Sequence, residues 1–302
     1  MTNEKRLIVI DCNSIIHRAY HALPPLTTKK GELVNAIYGF LLVFFKAIKE
    51  FQPDFIVAAF DFPGKTFRHK KFKEYKAKRP PAPEEFYQQI PKVKEVLEAF
   101  EVPVFEKEGF EADDIIASLK VKSQKSKVKS IIVSGDSDLL QLVDEQTEVY
   151  ILKKGVKETV LYDENLVKKK YQGLSPEQLV DFKALIGDPS DNIPGVKDIG
   201  KKTAVKLLNK YGSIKNLYDK IEEEKNMRLK EILIRERERV FFSKDLVRLN
   251  ESIPIEFDLR KCQFWNFNEK ELEEIFKKYE FYSLLKRIPE ITPEIKKTKK
   301  LF

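Results

Sequence analysis

Over the first half of the chain the hydrophobic residues come in short unbroken runs. Arg6-Leu-Ile-Val-Ile-Asp11 and Asp54-Phe-Ile-Val-Ala-Ala-Phe-Asp61 show no polar alternation, the pattern of strands covered on both faces. Residues 102–105 and Ser130-Ile-Ile-Val-Ser134 are shorter runs of the same kind. Between these runs, apolar positions recur at helical spacing over 35–51, 84–100 and 112–122. Strands alternating with helices predict an α/β domain, a parallel sheet with helices on both faces.

Near residue 172 the texture changes, and nearly everything beyond it reads as helix. Ser175-Pro-Glu-Gln178 supplies an N-cap, a proline at the first position and a capping-box partner. A helix is predicted over 200–211, stopped by Gly212. One long, highly charged helix is predicted over 226–249, then an extended piece at 253–257 and a final helix over 269–286. The tail 289–302, with Lys296, Lys297, Lys299 and Lys300, is expected to be disordered. The predicted organisation is an α/β domain at 1–172, a helical domain at 173–288 and this basic tail. No internal repeat is present.

Composition narrows the function. In 302 residues, 42% are hydrophobic, enough for a sizeable core, so a wholly disordered chain is excluded. The two cysteines, Cys12 and Cys262, form no CxxC pair, which removes a disulfide framework and a zinc ribbon. The longest apolar run, 36–45, stops at Lys46, well short of the roughly 20 residues a bilayer span needs. The first run is too short for a signal-peptide core. A soluble cytoplasmic protein with no membrane partner is expected. The net charge of +8 favours polyanionic partners.

The acids carry the candidate chemistry. Asp11 ends the first strand run, Asp61 the second, and Asp136 and Asp138 follow the strand at 130–134. In an open α/β sheet, ligands bind at the carboxyl ends of the strands. Glu111, Asp113 and Asp114 open the helix at 112–122, and Asp188 and Asp191 lie in Gly187-Asp-Pro-Ser-Asp-Asn-Ile-Pro-Gly195. Each alone reads as a cap or turn residue. Nine carboxylates on one rim would repel one another and raise several pKa values unless cations sat among them. Oxygen ligands without His or Cys point to hard ions, Mg²⁺ or Mn²⁺. Two such ions form the usual apparatus for cutting phosphodiesters. With those nine set aside, 56 basic residues face 39 acidic ones, a body of +17 around an acidic hole.

The run from Lys65 to Arg79 directly follows Asp61 and holds eight Lys/Arg against Glu74, with Phe67, Phe72 and Tyr75 interleaved. Basic groups suit a phosphate backbone, and exposed aromatics could stack on unpaired bases. The competing reading is a solvated helix whose aromatics pack inward. A second basic segment, Ile193-Pro-Gly-Val-Lys-Asp-Ile-Gly-Lys-Lys-Thr203, turns into a helix start, where free backbone N–H groups with Lys201, Lys202 and Thr203 make an anion site for a DNA phosphate. It is not a P-loop, because Lys202 occupies the Ser/Thr position and no buried strand leads in. His17 and His21 stand four apart, but Arg18 follows His17 where a zinc protease would place Glu, so packing or surface roles are expected.

These residues, in order, resemble the 5′-nuclease family: the 5′→3′ exonuclease domain of bacterial DNA polymerase I and its flap-endonuclease relatives. The landmarks are His17-Arg-Ala-Tyr-His-Ala22, Phe60-Asp-Phe-Pro-Gly-Lys-Thr-Phe-Arg68, Tyr75-Lys-Ala-Lys-Arg-Pro-Pro81, Glu111-Ala-Asp-Asp114, Gly135-Asp-Ser-Asp138 and the 187–195 motif, with Lys278-Tyr-Glu-Phe-Tyr-Ser-Leu-Leu285 near the end. The resemblance implies a PIN-like nuclease domain, with a basic arch at about 62–90, followed by a helix–three-turn–helix DNA-binding region. It implies one metal ion held by Asp11, Asp61, Glu111 and Asp113 and a second by Asp136, Asp138 and Asp188, with Asp114 and Asp191 in support. Lys76 and Arg79 would grip the scissile phosphate as catalytic groups, and Arg68 and Tyr75 would guide the displaced 5′ strand. His17, Arg18 and Lys65 join the implied DNA contacts, and Gly195, Gly200, Lys201, Lys202 and Thr203 would hold the downstream duplex, with a place for K⁺.

Three residues depart from the family pattern. Cys12 replaces a common glycine, His17 a Tyr or Phe, and Asp198 a glycine of the hairpin, where a carboxylate facing phosphate would be unfavourable. The expected function is a Mg²⁺-dependent, structure-specific 5′ nuclease, with Mn²⁺ able to substitute. It would act as a monomer on 5′ flaps, nicks and recessed ends in primer removal and repair, beside a DNA polymerase or ligase. The alternatives are a PIN-type ribonuclease and a non-catalytic DNA-junction binder. The sequence is compatible with a free-standing enzyme and with the amino-terminal part of a longer polymerase.

Overall fold

Leu7, Ile8, Val9 and Ile10 are all at most 2% exposed, so this strand has no solvent face and must sit mid-sheet. In the computed structural model, which describes residues 4–288, it does. Six strands, β1 (Arg6–Asp11), β2 (Phe55–Ala59), β3 (Val104–Phe105), β4 (Lys129–Ser134), β5 (Thr147–Lys154) and β6 (Glu158–Tyr162), lie in the order β3-β2-β1-β4-β5-β6. The first five are parallel and β6 is antiparallel. The register sets Leu7 against Phe55 and Ile8 against Ile131. The predicted tail at 289–302 lies outside the described residues.

Alternate side chains feed two cores. Ile8, Ile10, Ile56 and Ile131 pack with the helices Cys12–Ala22, Asn35–Phe51 and Ile90–Ala99. Leu7, Val9, Val57 and Ile132 pack with the helix Ala112–Gln124 and, continuously, with the helical second half. That half comprises the helices Gln178–Ile186, Lys201–Tyr211, Ile214–Asp219, Met227–Arg235 and Arg237–Val247. The Gln178 side-chain oxygen accepts the Ser175 N–H at 2.9 Å, half of the predicted capping box.

The structure corrects several of these elements. The β5–β6 hairpin went unread because its strands mix charged and apolar residues. The charged helix expected over 226–249 is two helices meeting at Glu236 (φ −93°, ψ 8°), and the break lets Ile232, Leu233, Val240, Leu246 and Val247 all reach buried positions. The final helix over 269–286 is also two, Glu269–Lys278 and Tyr282–Leu285, parted at Glu280 with φ +59°. Moreover, Phe264, Phe267, Leu272, Phe276, Tyr279, Phe281 and Leu284 join the core of the helices Asn35–Phe51 and Ile90–Ala99. The Tyr279 hydroxyl and the Lys278 ammonium both bond to Glu95. The last part of the predicted helical domain therefore packs on the α/β domain.

Candidate active site

Parallel strands deliver their carboxyl ends to one edge, and the acids gather there. A cleft of about 1220 Å³ is lined by Asp11, Asp61, Glu111, Asp113, Asp136, Asp138 and Asp191. Asp11 leaves β1 and caps the helix Cys12–Ala22, accepting the Ser14 N–H at 3.3 Å and the Ser134 hydroxyl at 2.5 Å. Asp61 follows β2, and its carboxylate accepts the Ala112 N–H at 2.7 Å, tying it to the helix that carries Glu111 and Asp113. Asp136 follows β4 and accepts the Asp138 N–H at 2.8 Å, which sets both acids in one tight turn. Asp188 lies just behind the rim, its carboxylate accepting the Ser190 hydroxyl at 2.6 Å.

The 187–195 loop that carries Asp188 and Asp191 closes tightly on itself. A Cβ on Gly195 would stand 2.3 Å from the Ile186 carbonyl carbon, and one on Gly187 2.5 Å from the Gly195 nitrogen. Glycine at 195 is therefore a packing requirement of this loop. Gly200, by contrast, is exposed and open on its Cβ side, at the N-terminus of the helix Lys201–Tyr211, with Lys201 and Lys202 exposed and Thr203 half-buried.

Crowded acids hold their protons more tightly. Burial, reinforced by Asp61 and Asp136, raises Asp11 to about 7 against the Ser134 hydrogen bond. Burial and Asp136 raise Asp138 to about 7. Asp113 is raised well above its usual value by burial, with Asp11 and Asp136 adding to it. Asp61 is raised by the protein around its carboxylate, against the Ala112 N–H.

Cationic side chains reach into the same rim. Lys76 Nζ lies 2.5 Å from Glu111 and the Arg79 guanidinium 2.5 Å from Asp191. Lys183 bridges Asp138 and Asp188, the latter at 2.6 Å. Burial works against the Lys183 charge, but the two carboxylates outweigh it and raise its pKa. Burial likewise opposes ionisation of Glu111, yet Lys76 and Arg68 hold it below the usual carboxylate range. Lys183 was missed in the sequence. Its signal was a charge inside the apolar run Leu179-Val-Asp-Phe-Lys-Ala-Leu-Ile186.

The basic segment is folded down onto this cleft, and part of its predicted role is corrected. Arg68 is 2% exposed, bonded to both Asp114 oxygens at 2.6 and 2.7 Å, to Glu111 at 3.0 Å and to the Leu246 and Arg248 carbonyls. Tyr75 is 3% exposed and its hydroxyl lies 2.9 Å from both Glu111 and Asp191. Neither side chain is free to guide a strand here. Asp114, fully buried on Arg68, lies away from the cleft and is corrected from metal support to a structural ion pair. Phe67 packs on Phe110 and Phe72 on Phe242, so these aromatics turn inward as the competing reading held. Lys65, Lys70, Lys71, Lys73 and Lys78 stay exposed. Arg68→Ala strands the Asp114 charge and is expected to cost about 3–5 kcal/mol in denaturant unfolding; a loss under about 1 kcal/mol would contradict the structural assignment.

Of the remaining candidates, Arg18 bonds to the Gly135 and Lys153 carbonyls at the ends of β4 and β5. His17 lines the cleft and sits with His21 (4.5 Å between rings) and Phe86 (5.8 Å); burial, with His21 and Arg79, lowers its pKa. Cys12 is buried, and burial next to Asp11 raises its thiol well above the usual range, which leaves it inert.

Among the described residues, no three His, Cys, Asp or Glu side chains already surround one point as a metal site requires. The donor set nevertheless fits hard divalent ions in kind: it is all oxygen, and its neighbouring negative charges add to burial in raising Asp11, Asp113 and Asp138. Also among the described residues, no helix is long and apolar enough to cross a membrane.

Comparison with known proteins gives a consistent picture. A family model described as "5'-3' exonuclease, N-terminal resolvase-like domain" matches residues 6–172, and one described as "5'-3' exonuclease, C-terminal SAM fold" matches 174–270. DNA polymerase I of Bacillus subtilis is 40% identical over 301 residues, all of this chain but 34% of that protein. The chain thus spans about a third of the length of such relatives. A protein named 5'-3' exonuclease from Aquifex aeolicus is 38% identical over 95% of this chain and 96% of its own. Among solved structures, T5 5'-exonuclease with bound divalent metal ions (zinc) superposes with a TM-score of 0.69 at 18% identity, covering 92% of this chain and 99% of that one.

Proposed function

The chain belongs to the 5'-3' exonuclease family, and we propose that it hydrolyses DNA phosphodiesters at 5′ ends, flaps and nicks with two divalent ions, Mg²⁺ in the cell and Mn²⁺ as a substitute. The observation that carries this is the cleft itself, where seven carboxylates from strand ends and neighbouring turns share one rim with Lys76 and Arg79. Asp11, Asp61, Glu111 and Asp113 would hold one ion, and Asp136, Asp138 and Asp188 the other, with Asp191 in support. Bound there, the ions would polarise the phosphate, lower the pKa of an attacking water and stabilise the departing oxygen.

The chain's own groups do the rest. Lys76 and Arg79, now paired with Glu111 and Asp191, would transfer to the scissile phosphate when it enters and offset charge on its oxygens. Lys183 holds Asp138 and Asp188 in place. The exposed lysines of the 65–79 segment supply charge for the displaced strand, and Gly200, Lys201, Lys202 and Thr203 grip the downstream duplex by its backbone, with K⁺ at that turn. A DNA polymerase is the working partner this reading favours, since DNA polymerase I relatives carry the equivalent of this chain within a longer protein.

Two experiments test the proposal. Mg²⁺ at about 100 times its Kd is expected to stabilise the protein by about 2.7 kcal/mol per site, several degrees in Tm, by relieving repulsion among the acids. Equal Tm in Mg²⁺ and EDTA would remove the metal site. A labelled RNA hairpin offered beside a 5′-flapped DNA should be left intact while the flap is cut; the reverse preference would favour a PIN-type ribonuclease.

A further inference from the structure

Asp198 is the one acid among residues 195–203. It sits at φ +69°, a left-handed conformation that Asp and Asn tolerate better than other side-chain-bearing residues. The backbone thus keeps the shape a glycine would give it, but the carboxylate stays exposed among Lys197, Lys201 and Lys202. Arg228, in the first turn of the helix Met227–Arg235, brings its guanidinium to 3.5 Å from Asp198 Oδ2. No other ion pair involving Arg228 occurs among the described residues.

Both side chains are largely in water, at 81% and 51% exposure, so the pair adds little to folding. Its weight falls elsewhere. A lone carboxylate on a surface meant for phosphates repels the ligand at every encounter, and a guanidinium tethered from another helix cancels that charge without altering the turn. We infer that Arg228 is a positioning residue for duplex DNA, neutralising Asp198 so that the lysines of the 195–203 turn face the phosphate backbone unopposed. The inference rests on the duplex-holding role proposed above for that turn.

The test is a thermodynamic cycle on the full chain, with fluorescence anisotropy of a labelled blunt duplex in EDTA so that nothing is cut. Arg228→Ala is expected to weaken binding about three- to tenfold, and Asp198→Asn, which keeps the left-handed backbone, to tighten it. In the Asp198→Asn background, Arg228→Ala should change affinity less than about twofold. Unchanged Tm in all variants confirms that only the surface charge was altered. The same fold-loss in both backgrounds, with the salt slope falling by about 0.9, would mean that Arg228 binds phosphate itself and would overturn the inference. No loss in either background would overturn it as well. A wild-type protein that does not bind the duplex would overturn the duplex-holding reading and this inference with it, whereas wild-type binding with additive effects overturns the inference alone.

Discussion

Asp138→Ala is expected to lower flap cleavage on the order of 10³-fold or more while leaving junction binding at wild-type strength or tighter. A bound ion supplies several kcal/mol of charge stabilisation in the transition state, and each 1.36 kcal/mol is a factor of about ten. Asp138 stands where that charge balance is strained. Burial and Asp136 raise it to about 7, and it shares Lys183 with Asp188. Alanine would remove one of the proposed oxygen ligands but leave Lys183 paired with Asp188, so the fold of the rim persists. It also removes a negative charge from the path of a phosphate backbone, which is why binding should hold or improve. Unchanged cutting under single-turnover conditions would sink the assignment of Asp138 to a metal.

Lys76→Ala separates catalysis from binding in a different way. Its backbone is pinned by the Asp191 carbonyl at 2.9 Å in a left-handed conformation, φ +55°, and its ammonium is aimed at Glu111. Burial opposes the charge, yet Glu111 and Asp191 raise its pKa, so the group stays cationic through the neutral range. A cation held ready for the scissile phosphate, as proposed for Lys76, would act mostly on charge that develops during reaction. The single-turnover rate should fall on the order of 10²-fold, with duplex-flap affinity changed less than about threefold. Lys76→Arg should recover part of the rate. Equal losses of rate and affinity would reduce Lys76 to a ground-state contact.

The strand-end acids were legible in the sequence because unbroken apolar runs fix where a buried parallel strand stops, and Asp11, Asp61, Asp136 and Asp138 stand at or just past those stops. Asp188 and Asp191 were found through a motif rather than a strand, and the structure brings their loop to the same rim. What the sequence could not show was pairing across long separations. Arg68 and Asp114 are 46 residues apart, and only their meeting turns a basic residue in a charged run into a buried tether. Tyr75, Phe67 and Phe72 read as possible stacking groups because local sequence cannot tell which side of a segment faces protein. The breaks at Glu236 and Glu280 were hidden because periodicity continues through a break that tertiary packing imposes, and the hairpin β5–β6 because its strands mix charged and apolar residues.

The most direct measurement uses a duplex bearing a 5′ flap, labelled on each strand in turn, under single-turnover conditions in EDTA, Mg²⁺ and Mn²⁺. No cutting is expected in EDTA. With either metal the flapped strand is expected to be cut at or next to the single-strand/duplex junction, leaving a 5′-phosphate and a 3′-hydroxyl. Tight binding to the flap with no cut in either metal would contradict this expectation and make the acidic cleft part of a junction-binding scaffold.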